Sequence, residues 1–303
     1  MKATEIGRFF LAFSTDFFFL KTVREGFVFI VSQIICFRNH EPFRNRFGSS
    51  RKKDKKKPEI LGYNERMQLM IDVGNSSASF TLFQGETVKG RLSFLHDQGI
   101  PLDSLRAFLP EEPFDAFLAS VAPKKEEALL AALENLGVKP TALTSEIALR
   151  ALPANVDSPE EVGIDLLLDA LGTEERDAII IDLGTCNKVI YKKEGMFEGV
   201  AISPGFGLAY RSIFGNAEMI PSARLSFSDG PIGKNTPDAL SSGILVAGVK
   251  GLLALAEAID PAGNKPRILT GGAASALLAL FPGWRHEPDL LATGMKRLSE
   301  TLS

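Results

Sequence analysis

The chain has 303 residues, of which 45% are apolar, so it is long enough for two ordinary domains with sizeable cores. Its 34 Lys and Arg and 37 Asp and Glu leave a net charge of −3, which gives no general indication of a nucleic-acid partner. The only two cysteines, Cys36 and Cys186, lie far apart, which excludes a disulfide framework or zinc cluster and fits a reducing cytoplasm.

The first 66 residues differ in composition from the rest. They hold 14 of the Lys and Arg, 7 of the Asp and Glu, and 11 of the 22 phenylalanines. Charged residues interrupt their apolar run, so no clean stretch of about 20 apolar residues exists and no membrane span is expected. The basic run RKKDKKK at 51–57 predicts a solvated linker. We interpret residues 1–66 as a leader, either a start codon assigned ahead of Met67 or Met70, or a disordered segment.

Residues 67–173 are expected to form the first domain. Three strands are predicted in QLMIDVGN, ASFTLFQG and ETVKGRLSF, with a hairpin turn at 84–86. A short helix over 103–109, a buried strand over 115–122, and a helix over 124–136 capped by Gly137 follow. A short strand at 140–145 and a helix over 163–172 complete this domain.

The order of elements restarts in residues 174–303, the expected second domain. AIIIDLGT and NKVIYKKE predict a hairpin, and MFEGVAISPG follows it. A helix over 208–214 precedes a long helix over 235–259, with Thr236 as its N-cap and Pro237 at its first position. RILTGG predicts a strand that ends in two glycines, and AASALLALF predicts a helix. The repeated order indicates two α/β domains of similar plan.

Each predicted domain opens with a hairpin whose tip reads Asp-x-Gly. Asp72 and Asp182 stand at these tips, 110 residues apart. Glycine lets backbone N–H groups approach a phosphate, and an aspartate can hold a charge-neutralising cation. A single tip of this kind is more simply a turn in which Asp and Asn bond their own backbone. Two tips in matched positions, together with TGG at 270–272, favour phosphate binding.

The motifs, taken in order, resemble the type III pantothenate kinase family of the acetate and sugar kinase/Hsp70/actin superfamily. They are IDVGNSS (71–77), SPEEVGID (158–165), IIIDLGT (179–185), GVAISPG (199–205), IGKNTPDALSSG (232–243) and ILTGG (268–272). The resemblance implies an α/β fold of two duplicated ribonuclease H-like (actin-like ATPase) domains with a nucleotide cleft between them. It also implies ATP-dependent phosphorylation of pantothenate to 4'-phosphopantothenate, the first step of coenzyme A biosynthesis.

The resemblance also implies roles for individual residues. Asp165 corresponds to the general base, and Asp182 to the site of a monovalent cation, K⁺ or NH₄⁺. ATP and its phosphates would contact Asp72, Val73, Gly74, Asn75, Ser76, Ser77, Ala78, Ser79, Gly184, Thr185, Gly271 and Gly272. Pantothenate would contact Gly163, Ile164, Asp165, Leu166, Val156 and Ala217. Mg²⁺ is expected with ATP, and a cytoplasmic homodimer is expected, with no nucleic-acid or membrane partner.

Three of these positions depart from the family pattern. The family has Arg, Tyr and Thr where this chain has Leu166, Val156 and Ala217, and the second tip reads Cys-Asn-Lys after Thr185. All three replacements at the acceptor positions are apolar, and no apolar side chain supplies the forked donors of arginine. Two alternatives therefore stay open: a kinase with another small hydroxyl acceptor, and a non-catalytic nucleotide-binding homologue. His96 and His286 have no partner pattern and are expected at the surface.

Overall fold

The computed structural model describes residues 10–14, 17–21, 23–24, 27–28, 66–216, 225–226 and 231–302. Within the expected leader these include four short strands: β1 (Phe10–Ser14), β2 (Phe17–Lys21), β3 (Val23–Arg24) and β4 (Phe27–Val28). The rest of the leader and Ala217, an expected acceptor contact, lie outside the described residues. The expectation of a mis-assigned start or a disordered segment therefore stays a prediction.

Packing divides the chain into two compact units. One is Ile34–Ala142, and the other is Leu143–Ser303 together with Met1–Gln33. The domain boundary expected between 173 and 174 stays a prediction, and the helices of residues 143–173 pack with the later part of the chain. Two glycines allow the segments around Leu168 and Leu290 to pack closely. A Cβ on Gly172 would overlap the backbone of Leu290, and a Cβ on Gly294 would overlap the backbone of Leu168.

The first unit is built on a five-stranded mixed sheet in the order β7-β6-β5-β8-β9. Its strands are β5 (Met67–Val73), β6 (Ser77–Gln84), β7 (Thr87–Leu95), β8 (Phe114–Ser120) and β9 (Thr141–Ala142). The first three are antiparallel, and β8 and β9 run parallel to β5. The helices are α1 (Leu102–Phe108) and α2 (Pro123–Asn135), and Gly137 with φ +75° follows α2 as predicted.

The second unit repeats this sheet in the order β12-β11-β10-β14-β15. Strand β13 (Leu225–Ser226) is not part of this sheet and pairs with β1. The strands are β10 (Ala178–Leu183), β11 (Cys186–Lys193), β12 (Met196–Pro204), β14 (Arg267–Thr270) and β15 (Arg285–His286). In both sheets the strand order is third, second, first, fourth, fifth, with the same pattern of directions. This repetition confirms the predicted class of duplicated ribonuclease H-like α/β domains.

Seven helices of this unit lie in the described part of the chain. They are α3 (Ser145–Ala151), α4 (Ile164–Leu171), α5 (Phe206–Asn216), α6 (Thr236–Ser241), α7 (Ala247–Ile259), α8 (Ala274–Leu277) and α9 (Leu290–Glu300). Helices α3 and α9 were not predicted from the sequence. The predicted N-cap of α6, Thr236, is one residue late: the side chain of Asn235 accepts from Asp238 N at 2.9 Å.

Helices α6 and α7 join through a π-helical turn at Ser242–Val246 into one helix, Thr236–Ile259. By length and composition it is the one helix of the described residues that could cross a membrane. Its apolar side, however, belongs to the core of the unit, through Leu240, Ile244, Leu245, Val249, Leu252 and Ala256. A long apolar helix with one buried side is typical of a core helix.

Candidate active site

The second hairpin tip brings a lysine and an aspartate together. In the antiparallel pair of β10 and β11, Asp182 and Lys188 are direct cross-strand partners. Opposite charges at such a position lie on the same face of the sheet and attract each other. Lys188 Nζ donates a hydrogen bond to Asp182 Oδ2 at 2.5 Å, and both side chains are largely buried.

Helix α4 adds a second carboxylate to this lysine. Gly163 is the N-cap of α4, and Asp165 lies in its first turn, where the helix dipole favours a negative charge. Asp165 Oδ1 accepts from Leu166 N at 3.0 Å, and Asp165 Oδ2 lies 2.9 Å from Lys188 Nζ. The ammonium of Lys188 therefore bridges the predicted general base and the predicted cation ligand.

The electrostatics of this cluster favour the charged lysine. Burial alone would lower the pKa of Lys188, but the carboxylates of Asp182, Asp165 and Asp169 outweigh it and raise that pKa above 10.5. Burial raises the pKa of Asp182, and the Lys188 ammonium opposes that rise. The cluster is thus held together by a cation that stays protonated throughout the physiological range.

The other end of α4 is fixed by two basic side chains. Lys192 Nζ, from β11, donates to the carbonyl oxygens of Ala170 at 2.8 Å and Thr173 at 2.9 Å. Arg297 Nη1, from α9, donates to Leu171 O at 2.9 Å. The last carbonyls of a helix have no partner within it, and cations there also complement its dipole. The helix that carries Asp165 is therefore anchored at both ends.

Glycines let the backbone close around the second tip. A Cβ on Gly205, in the ISPG motif, would overlap the carbonyl oxygens of Gly184 and Thr185, and Gly205 N donates to Thr185 O at 3.0 Å. Gly184 and Thr185 are exposed, as is Gly272, where a Cβ would meet nothing within 4 Å. These three residues are therefore accessible from the surface, and the surroundings of Gly272 are open.

The first tip belongs to the other unit, and a different type of residue is paired with its aspartate. Asp72 pairs across the strands with Ser79, so the position of Lys188 is taken by a hydroxyl. The turn is closed by Gly74 N, which donates to Ser77 O at 2.9 Å. Val73 and Ala78 are fully buried, so neither residue is exposed at the surface of the tip. Asn75 is exposed, and Asp72, Gly74, Ser76, Ser77 and Ser79 are half-buried.

His96 holds this first tip in place. Its backbone N–H donates to Ser76 O at 3.0 Å, and its ring Nε2 lies 2.9 Å from Gly74 O. Because a carbonyl oxygen only accepts, Nε2 carries the proton of this bond. The expectation that His96 is a surface residue without a partner is wrong, because the chain turns back after β7 and returns its end to the loop. His286 is half-buried, and its Nε2 has no hydrogen-bond partner among the described residues.

The expected acceptor residues fall into two groups. Gly163, Ile164 and Leu166 are at the start of α4 with Asp165, but the side chains of Ile164 and Leu166 are buried. Val156 is half-buried and follows a segment that joins the edge of β12, where Asn155 N donates to Phe197 O at 2.8 Å. The contact of these residues with an acceptor stays a prediction.

The expected metals differ in how well the residues suit them. No group of three or more His, Cys, Asp or Glu that could hold a metal occurs in the described residues. Mg²⁺ needs only one or two carboxylates beside substrate phosphates, so the half-buried Asp72 suits it. The residues at Asp182 do not suit a monovalent cation, because the Lys188 ammonium already contacts that carboxylate. A monovalent cation at Asp182 stays a prediction, and the contact between Lys188 and Asp182 argues against it.

Lys188 is the main site residue that the sequence analysis missed. The sequence did contain a signal for its pairing with Asp182. In a hairpin centred on Thr185, each residue before the tip pairs with the residue equally far beyond it. That symmetry places Lys188 opposite Asp182. The contact with Asp165 had no such signal, because it depends on the packing of α4 against the sheet.

Comparison with known proteins identifies a family. The sequence model described as type III pantothenate kinase matches residues 68–257. A type III pantothenate kinase from Thermus thermophilus is 31% identical over 254 residues, which cover 77% of this chain and 98% of that protein. Another, from Desulfatibacillum aliphaticivorans, is 30% identical over 233 residues and covers 70% and 89%.

A solved structure supports the fold alone. It is a conserved Baf family protein from Campylobacter jejuni, described as a transcriptional activator, and the TM-score is 0.52 at 20% identity. The match covers 77% of this chain and 98% of that one. The similarity extends over both units described above.

Proposed function

Because the chain belongs to the type III pantothenate kinase family, we propose that it transfers the γ-phosphoryl group of ATP to pantothenate. The products are 4'-phosphopantothenate and ADP, and the reaction is the first step of coenzyme A biosynthesis. The observation that carries the proposal is the family match over residues 68–257, which contains both Asp-x-Gly tips and the helix with Asp165. The convergence of Asp165 and Asp182 on Lys188 gives that helix and the second tip a common charged centre.

Asp165 acts in this proposal as the general base. Its Oδ2 or Oδ1 accepts the proton of the pantothenate hydroxyl while that oxygen forms a bond to the γ-phosphorus and the bond from phosphorus to the β-phosphate oxygen breaks. Phosphoryl transfer relies mostly on positioning and charge stabilisation. Two contacts position the carboxylate, Leu166 N at 3.0 Å and Lys188 Nζ at 2.9 Å.

The nucleotide contacts are proposed for the two tips and the glycine pair. Residues 72–79 would bind phosphate through the turn backbone and the side chains of Asn75, Ser76 and Ser77. Gly184, Thr185, Gly271 and Gly272 would supply backbone approach in the second unit. Mg²⁺, which neutralises the phosphate charge when bound, would be held by Asp72 and the phosphates.

The acceptor contacts are proposed for Gly163, Ile164, Leu166, Val156 and Ala217. Leu166 is buried and apolar, so recognition of the pantothenate carboxylate must come from elsewhere. That observation keeps a kinase with another small hydroxyl acceptor as the second candidate. We further propose that the protein is cytoplasmic and forms a homodimer, and light scattering of the purified chain would test the dimer.

The test is coupled ADP release by the full chain with ATP and Mg²⁺, with and without pantothenate. Pantothenate-stimulated release is expected, with 4'-phosphopantothenate identified by mass spectrometry. ADP release stimulated only by a different hydroxyl compound would favour the second candidate. ATP binding in a calorimeter without turnover on any acceptor would identify a non-catalytic homologue and contradict both.

A further inference from the structure

One basic side chain contacts both carboxylates of the second-unit site. Lys188 Nζ lies 2.5 Å from Asp182 Oδ2 and 2.9 Å from Asp165 Oδ2. Its side chain is 15% exposed, and those of Asp182 and Asp165 are 10% and 17% exposed. A lysine held this way is part of a buried cluster and not a solvated surface charge.

The chemistry of this ammonium matches that of the expected cation. K⁺ and NH₄⁺ are compact ions of charge +1, and the head of lysine is an alkylammonium of the same charge with three donors. The ammonium touches the same carboxylate on which the family resemblance places the ion. A second cation on that oxygen would be repelled by the first.

The first tip provides an internal comparison. There the residue opposite Asp72 is Ser79, which carries no charge. The lysine is therefore a property of the second tip and not of the repeated hairpin. With it, Asp165, Asp182 and Lys188 sum to a charge of −1, whereas the two carboxylates alone would present −2 to the anionic phosphates.

We propose that Lys188 is a tethered monovalent cation, whose ammonium takes the place of K⁺ or NH₄⁺ at Asp182, so that the enzyme needs no added monovalent ion. Lys188 is a positioning residue: it holds the Asp165 carboxylate, offsets its charge, and acts on the reaction through Asp165. The catalytic part of this inference rests on the proposed kinase function.

The experiment compares kinetics in KCl, NH₄Cl and choline chloride at equal ionic strength. The full chain is expected to change kcat by less than about threefold among these salts. Lys188→Met is expected to lose about tenfold or more of kcat in choline chloride, the equivalent of a lost charge-assisted bond, and to recover most of it in KCl or NH₄Cl. Lys188→Arg keeps a cation and should stay independent of K⁺.

Lys193→Met is the matched control, since Lys193 is exposed on the same strand and should show no dependence on the salt. Stimulation of the unaltered chain by K⁺ of about threefold or more would overturn the proposal. So would a Lys188→Met protein that is equally active, or equally impaired, in all three salts. If Lys188→Met does not fold, Lys188→Gln takes its place.

Thermal unfolding separates this inference from the proposed activity. If the chain releases no ADP with pantothenate, the proposed function fails, and the cation site is tested by Tm in KCl against choline chloride. A K⁺-specific rise in Tm is then expected for Lys188→Met and not for the unaltered chain. A K⁺-specific rise in the unaltered chain, or none in the variant, would refute the tethered cation.

Discussion

Gly271 approaches Asp182 so closely that a Cβ on the glycine would overlap the carboxylate oxygen Oδ1 and lie 2.5 Å from Leu183 N. Gly271 also has φ +94°, a conformation that side chains rarely adopt. The backbone after β14 is thus placed directly against the carboxylate that Lys188 holds.

Gly271→Ala is expected to lower the free energy of unfolding by about 1–3 kcal/mol through overpacking, and to weaken ATP binding. Urea denaturation and calorimetry with ATP–Mg²⁺ would measure the two effects. Gly272→Ala is the control for stability, because a Cβ there meets nothing within 4 Å. If both variants were equally stable, the close packing at Gly271 would have no energetic role.

Asp165→Asn is expected to reduce pantothenate-dependent ADP release by about 10²- to 10⁴-fold, because the amide cannot accept the hydroxyl proton. Asp182 still pairs with Lys188 in this variant, so circular dichroism should show an unchanged fold. Glu161→Gln removes an exposed carboxylate just before α4 and should leave the rate unchanged. Retention of most of the activity by Asp165→Asn would reject its role as the base.

Lys192→Met is expected to destabilise the protein by about 1.5–3 kcal/mol, because the buried carbonyls of Ala170 and Thr173 lose a charged donor. Chemical denaturation at neutral pH would measure the difference. Lys193→Met, on the exposed neighbour, should change stability by less than about 0.5 kcal/mol. Equal stability of the two variants would mean that the capping bonds contribute nothing.

The stability contribution of Lys192 should depend on pH in a defined direction. Burial, reinforced by Arg297 and opposed by Glu175, lowers the pKa of Lys192 below its ordinary 10.5. Between the lower folded value and 10.5 the unfolded chain binds more protons, so stability rises with pH in that window. The linked contribution is complete above 10.5 and is lost as the pH falls through the folded pKa.

Denaturation of the unaltered chain and Lys192→Met from neutral to alkaline pH would test this direction. Taking the difference between their unfolding free energies removes the effect of titrating groups that both proteins share. This difference should increase toward pH 10.5. A difference that shrinks as the pH rises would contradict the lowered pKa.

His96→Ala is expected to raise KM for ATP by about two- to tenfold, since the loop at Gly74 loses one hydrogen bond. His96→Gln keeps an N–H donor of similar reach and should restore most of the affinity. A structural defect unrelated to that bond would affect both variants alike, so an equal KM for the two would contradict the role given to His96.

The sequence predicted the repeated parts of this protein better than its long-range contacts. Both hairpins and the helix of Asp165 follow from local pattern, because strand alternation and turn residues are encoded within a few positions. Helices α3 and α9 were missed, and the close contact at Gly294 depends on residues far apart in the chain. The bridge from Lys188 to Asp165 was unpredictable for the same reason, although the pairing with Asp182 follows from the hairpin.

Strand β11 carries Lys188 and Lys192 four residues apart, a distance of about 13 Å along a strand. Helix α4 spans a similar length, about 12 Å for eight residues, and one lysine meets each of its ends. A slip of β11 by one residue would turn both lysines to the opposite face of the sheet. The register of β11 therefore determines both contacts of α4. A chain that folds with the wrong strand pairing loses the Lys192 anchor of the helix and the Lys188 charge at the site together. Molecules with the wrong register therefore lack the site.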